Sequence, residues 1–188
     1  IHGIVADFVT HLGSIPEGNP RLVILLGGTI GNFSPDQAVG LLRRLSEHME
    51  PGDFFLLGAD LIKDIETIER AYNDSSGITA KFNRNILRVV NSVTGGDFEP
   101  LAYEHSAVYN SRLDRIEMYL VASAPQMVHL PKLGIDIAIE EDEALRTEIS
   151  CKYDRKSIEK MLQTSNFVPT RWFTDPDNLF ALALAQRF

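Results

Sequence analysis

Several features are scarce or missing. A single cysteine, Cys151, rules out an internal disulfide, so a reducing, cytoplasmic setting is the simplest expectation. No apolar run approaches the ~20 residues that cross a bilayer, and no signal peptide is visible, so no membrane partner is expected. Positive charge is short as well. Lys and Arg number 18 against 26 Asp and Glu, for a net charge of −8, and no basic cluster stands out. This argues against a nucleic-acid or acidic-membrane surface. The five histidines (His2, His11, His48, His105 and His129) show no ligand spacing, so no metal is expected. No G-x-S-x-G, Walker A or G-x-G-x-x-G motif occurs, nor any repeat or low-complexity stretch. Cys151 has no evident His partner and reads as packing. The chain begins at Ile1 rather than Met, so it is read as a fragment or a processed product.

What is present is an ordinary globular composition, 44% hydrophobic and 23% charged over 188 residues, enough for one domain with a sizeable insert. The chain is organised around Leu22 to Pro35. The apolar run Leu22–Leu26 ends in three glycines within five residues, Gly27, Gly28 and Gly31. Such a run suits a buried parallel strand, and the glycines let the backbone turn sharply and approach a ligand. In open α/β sheets, ligands bind at the carboxyl ends of such strands. Ser34, Pro35 and Gln37 spell a capped helix start, and Ala38, Leu41, Leu42, Leu45 and Met49 make one stripe. Pro51-Gly52-Asp53 stops that helix, and Phe54–Ala59 is a second apolar strand. Strand, helix, strand at this spacing is a βαβ unit with a parallel pair.

Elsewhere, Ile4, Val5, Phe8, Val9 and Leu12 predict a short amphipathic helix over Ile1–Leu12. Helices are expected from Leu61 to Tyr72 and from Ile78 to Val93, broken at residues 73–77. Beyond Gly95-Gly96 the period switches to two. Strands at Leu101–Tyr109 and Arg115–Ala122, then at Gln126–Leu130 and Ile135–Ile139, predict two antiparallel hairpins. Leu145–Tyr153 is ambiguous between helix and strand. If extended, it places Glu148 and Ser150 on one face and Ile149 and Cys151 on the other. Asp154 caps a helix, and strands at Phe167–Thr174 and Leu179–Arg187 return the chain to a sheet. The residues alone therefore predict an α/β ligand-binding sheet with an inserted β subdomain.

Several separate motifs, in order, carry a resemblance. They are LLGGTIGNF (25–33), GADLIKD (58–64), AYND (71–74), TAKFNRN (79–85), RIEM (115–118) and TEISCKY (147–153). Together they resemble the histidine-specific, S-adenosylmethionine-dependent methyltransferases, the family of the L-histidine Nα-methyltransferase of ergothioneine biosynthesis. The resemblance implies the C-terminal part of a Rossmann-like class I methyltransferase with an inserted antiparallel β substrate subdomain. In that scheme residues 1–62 are partial core, 63–152 the substrate subdomain and 153–188 the return to the core. It implies S-adenosyl-L-methionine as cofactor and L-histidine as substrate. Asn32 and Tyr72 would hold the amino and carboxylate end of histidine, and Met118 would pack beside it. Glu148 and Ser150 would read the imidazole. Gly27 would line the cofactor region, and Asp7 with Phe8 would contact the adenine.

These enzymes carry a first strand, a Gly-rich cofactor loop and an acidic ribose-binding residue ahead of the region matching Ile1. The expectation is therefore a monomeric parent enzyme, and an isolated chain that binds cofactor poorly, lacks activity and self-associates through the open edge at Leu22. The alternatives are a non-enzymatic amino-acid-binding module and a methyltransferase for another amine.

Overall fold

The computed structural model describes residues 3–18 and 20–188. The chain divides into two compact units, Ile1–Lys63 with Cys151–Phe188, and Asp64–Ser150.

The first unit is built on a four-stranded sheet. Strand β1 (Leu22–Leu25) leads to helix α1 (Pro35–Glu47) and then to β2 (Phe54–Asp60), which runs parallel to β1. The expected capping box is formed. Gln37 N–H donates to Ser34 Oγ at 3.4 Å, and Ser34 N–H donates to Gln37 Oε1 at 2.9 Å. Ala38, Leu41, Leu42 and Leu45 of α1 are buried with Phe55 and Leu57 of β2. The chain returns as α4 (Arg155–Thr164), capped by Asp154, and as the antiparallel hairpin β8 (Phe167–Thr174) and β9 (Phe180–Arg187). Strand β9 lies between β2 and β8, so the spatial order is β1-β2-β9-β8. Its register shifts between Pro169 and Arg171 on the outermost strand, where a proline removes no interior ladder bond.

Two expectations fail here. Strand β1 is not buried on both faces, since Leu22 and Ile24 are 53% and 51% exposed. It pairs with β2 alone among the described residues. The helix expected over Ile1–Leu12 does not form in its described part; Ile1 and His2 lie outside the described residues. Residues 3–11 are irregular, followed by a 3-10 turn at Leu12–Ser14. Asp7 explains the difference. Its Oδ1 accepts the N–H of Val9 at 2.7 Å and of Thr10 at 3.0 Å, and its own N–H donates to His11 Nδ1 at 3.0 Å. These local bonds give the backbone an alternative to the helical ladder.

The second unit opens with α2 (Ile65–Tyr72) and α3 (Ile78–Thr94). Strands β3 (Tyr103–Asn110) and β4 (Arg115–Ala122) form one antiparallel hairpin, and β5 (Gln126–Leu130) and β6 (Ile135–Ile139) another. The ambiguous stretch is extended as β7 (Ala144–Cys151), joined to β4 in the order β3-β4-β7. One apolar cluster joins Leu87 of α3 to Tyr103, Leu120 and Val128, and another joins Ile68 of α2 to Ala107, Ile116 and Met118.

Asp74 starts α3. Its carboxylate accepts the N–H of Thr79 at 2.7 Å and of Ile78 at 2.9 Å. Bonds from the Thr79 side chain and backbone, then from Ile78, lower its pKa from 3.8 to about 2. A folded pKa below the unfolded one means stability that is present above 3.8 and lost as pH falls toward 2. Thermal melts should show Asp74→Ala less stable than wild type at neutral pH, with the gap closing across that acid window. A gap that persists unchanged to the bottom of the window would contradict the cap.

Candidate active site

In the first unit, the turn after β1 exists because two successive residues are left-handed, Gly27 at φ 76° and Gly28 at φ 70°. A side chain at either would be strained. A Cβ built at Gly27 would make an ordinary contact with Thr29 Oγ1, at 3.9 Å, so it is the backbone conformation and not crowding that calls for glycine. The turn closes as a 3-10 helix over Thr29–Asn32, with Gly31 N–H donating to Gly28 O at 2.8 Å and Thr29 Oγ1 to Leu26 O at 3.1 Å. Asn32, at its end, is exposed. Ile30 anchors the turn from below: it is fully buried, and its carbonyl accepts from Tyr153 Oη at 3.2 Å. Burial pushes the Tyr153 phenol pKa up, so the hydroxyl stays a donor. Phe8 stands edge-on to Phe33, ring centroids 6.3 Å apart, which brings the Asp7-Phe8 loop beside the residue following Asn32. Bonds from the Val9 and Thr10 N–H groups hold Asp7 below the usual carboxylate range.

At the carboxyl end of β2, Asp60 accepts from Lys63 Nζ at 2.6 Å and Lys152 Nζ at 2.7 Å. The Lys152 side chain is 1% exposed, so its charge is carried inside the unit by this pair. Tyr153 N–H donates to Asp60 O at 3.0 Å, and Ile62 N–H to Tyr153 O at 2.9 Å. Chain leaving β2 is thereby stitched to chain arriving from β7.

In the second unit, Tyr72 ends α2 and packs on the cluster of Ile68, Ala107, Ile116 and Met118. The structure thus places Tyr72 against the apolar cluster that contains Met118. Burial along β7 alternates through residues 144–147 and becomes continuous from Glu148 onward. Glu148 is half-buried and Ser150 buried, at alternate positions of one extended strand, as the sequence predicts for the extended case. On β4, Glu117 accepts from Tyr119 Oη and from Arg115 Nε, the latter at 2.7 Å. The Tyr119 bond, against the opposing cost of burial and with help from Arg115, keeps Glu117 ionised below the usual range.

The expected residues therefore fall on both units. Asp7, Phe8, Gly27 and Asn32 lie on the first; Tyr72, Met118, Glu148 and Ser150 lie on the second. Sequence reasoning missed Asp60 and Lys152. The signal was present, because a lysine directly after a strand that ends buried at Ser150 and Cys151 needs a carboxylate partner. Among the described residues, no group of three or more His, Cys, Asp or Glu could hold a metal ion. No helix among them is long and apolar enough to cross a membrane.

A family model described as histidine-specific methyltransferase, SAM-dependent, matches residues 1–187. The chain is 42% identical over 187 residues to a histidine N-alpha-methyltransferase of Mycolicibacterium smegmatis, covering all of this chain and 58% of that protein. It is 40% identical to the histidine N-alpha-methyltransferase of Mycobacterium tuberculosis, with the same coverage. An L-tryptophan methyltransferase of Psilocybe serbica is 31% identical over 169 residues, which is 87% of this chain and 46% of that protein. The chain spans 58% of the length of the two bacterial relatives. From a match across nearly its whole length, the chain belongs to the histidine-specific, SAM-dependent methyltransferase family.

Proposed function

We propose that the protein as encoded is an S-adenosylmethionine-dependent methyltransferase acting on the α-amino group of L-histidine, with residues 63–152 as its substrate-binding subdomain. The observation that carries this reading is the family match over residues 1–187. Identity of 42% to a histidine N-alpha-methyltransferase supports the acceptor. The Psilocybe serbica relative is named for tryptophan, so the acceptor is the part that most needs measurement.

The residues present fit the cofactor. Gly27 offers a side-chain-free cradle at the carboxyl end of a parallel strand, with nothing but Thr29 Oγ1 within 4 Å of a built Cβ. Gly27, with Asp7 and Phe8, would hold S-adenosylmethionine. When bound, it supplies an electrophilic methyl group on sulfur. The chain's own part is orientation. Asn32 on the first unit and Tyr72 on the second are each neutral hydrogen-bonding groups, the type that orients an amine without adding a competing cation. Glu148 accepts the imidazole N–H, and Ser150 offers its hydroxyl to the other ring nitrogen. Met118 packs beside the substrate. Positioning of this kind supplies much of the acceleration in a displacement reaction. The single, buried Cys151 supports a cytoplasmic setting.

Mass spectrometry of histidine incubated with the protein as encoded and S-adenosylmethionine should show methylated histidine. Histidine binding unaffected by S-adenosylhomocysteine, with no methylated product, would instead support a non-enzymatic amino-acid-binding module.

A further inference from the structure

One polar network inside the second unit has no place in the roles assigned above. Asn83 of α3 is 2% exposed. Its Nδ2 donates to Tyr119 O at 2.9 Å and lies 2.9 Å from His105 Nδ1. Its Oδ1 accepts from Thr147 Oγ1 at 2.6 Å, and Thr147 Oγ1 also lies 3.1 Å from Met118 O. On the other side of the ring, His105 Nε2 stands 2.8 Å from Tyr72 O.

The chemistry allows one assignment. The Tyr119 carbonyl accepts only, so the Asn83 atom facing it is the amide nitrogen. That nitrogen has a second hydrogen for His105, so Nδ1 accepts. His105 is then the Nε2–H tautomer and donates to the Tyr72 carbonyl. Every member has its partner, which is the condition under which a buried polar network rigidifies what it touches.

What it touches is specific. The network donates to the backbone of Tyr72 and of Tyr119, and it holds Thr147, the neighbour of Glu148, with its hydroxyl oxygen 3.1 Å from Met118 O. We propose that Asn83, His105 and Thr147 are positioning residues that set where Tyr72, Met118 and Glu148 stand for the amino-acid substrate. This rests on the reading of the protein as a histidine methyltransferase.

The test uses the protein as encoded, with histidine and cofactor KM measured separately. Asn places its oxygen where Nδ1 lies, so His105→Asn keeps the bond from Asn83 and loses the donor to Tyr72. Gln reaches the Nε2 position, so His105→Gln keeps that donor. Histidine KM should rise about 5- to 10-fold in His105→Asn and less than about 3-fold in His105→Gln, with cofactor KM moving less than about 2-fold in both. Thr147→Val should raise histidine KM about 5-fold, and Thr147→Ser should rescue it. This second pair decides the matter if the His105 variants do not fold. Equal behaviour within each pair, or a cofactor KM that moves with the histidine KM, overturns the network while wild-type histidine turnover still stands. A wild-type protein that methylates no histidine overturns the substrate reading and the proposal together.

Discussion

Replacing Asp53 with alanine should cost about 3–5 kcal/mol of stability, because it takes a buried carboxylate from the half-buried Arg21 guanidinium and from the N–H groups of Arg21 and Glu50. Asp53 is fully buried on the loop entering β2. Its carboxylate accepts from Arg21 N–H at 2.8 Å, Arg21 Nε at 2.8 Å and Glu50 N–H at 3.0 Å, and Arg21 Nη2 lies 2.7 Å away. Its own carbonyl accepts from Arg187 N–H at 2.8 Å. The side chain therefore ties the entry to β1 to the turn after α1, and the backbone of the same residue holds the end of β9. Burial pushes its pKa up, but the backbone bonds from Arg21 and Glu50 and the Arg21 guanidinium outweigh that and leave it lowered. The sign follows: this stability is present above 3.8 and drains away as pH falls below it. Denaturant midpoints should show a large loss for Asp53→Ala at neutral pH and a smaller one for Asp53→Asn, with both gaps narrowing in acid. A loss under about 1 kcal/mol would show that Arg21 finds other partners.

Glu148→Ala should raise the histidine KM by about 10- to 100-fold in the protein as encoded, and leave the cofactor KM within about 3-fold. A hydrogen bond to a charged acceptor contributes about 1.5–3 kcal/mol, and a partly buried carboxylate on β7 has less competing water than an exposed one. Sites built to accept a substrate N–H reject analogues lacking it by as much as ~10⁴-fold. The wild type should therefore discriminate sharply against acceptors without a ring N–H, and the variant much less. Glu148→Gln should fall between them. Equal effects on the two KM values would place Glu148 outside the substrate site.

How much of this was legible in the sequence depends on what each feature needs. The β1-α1-β2 unit was readable because its signals are local: Ser34 and Gln37 cap within one turn, and the stripe from Ala38 to Leu45 sits on one helix. Hairpin β5-β6 was readable to the residue, because alternation and the Pro131–Gly134 turn agree. The insertion of β9 between β2 and β8 was not, since neither strand's sequence names its neighbours. The N-terminal helix was misread because periodicity was counted without the turn-forming bonds of Asp7. Asn32 and Tyr72 carry no chemical signature of their own. Motif order singled them out through resemblance, and the fold places one on an exposed glycine turn and the other against the apolar cluster that contains Met118. Asn83, His105 and Thr147 are far apart in sequence, and each looks ordinary alone.

The measurement that reaches the central claim most directly is the ratio of kcat/KM for L-histidine to that for L-tryptophan, in the protein as encoded with S-adenosylmethionine in excess. Histidine should be preferred by at least about 100-fold, with product methylated on the α-nitrogen. Tryptophan turned over as well or better, or methyl groups carried on the imidazole, would contradict it.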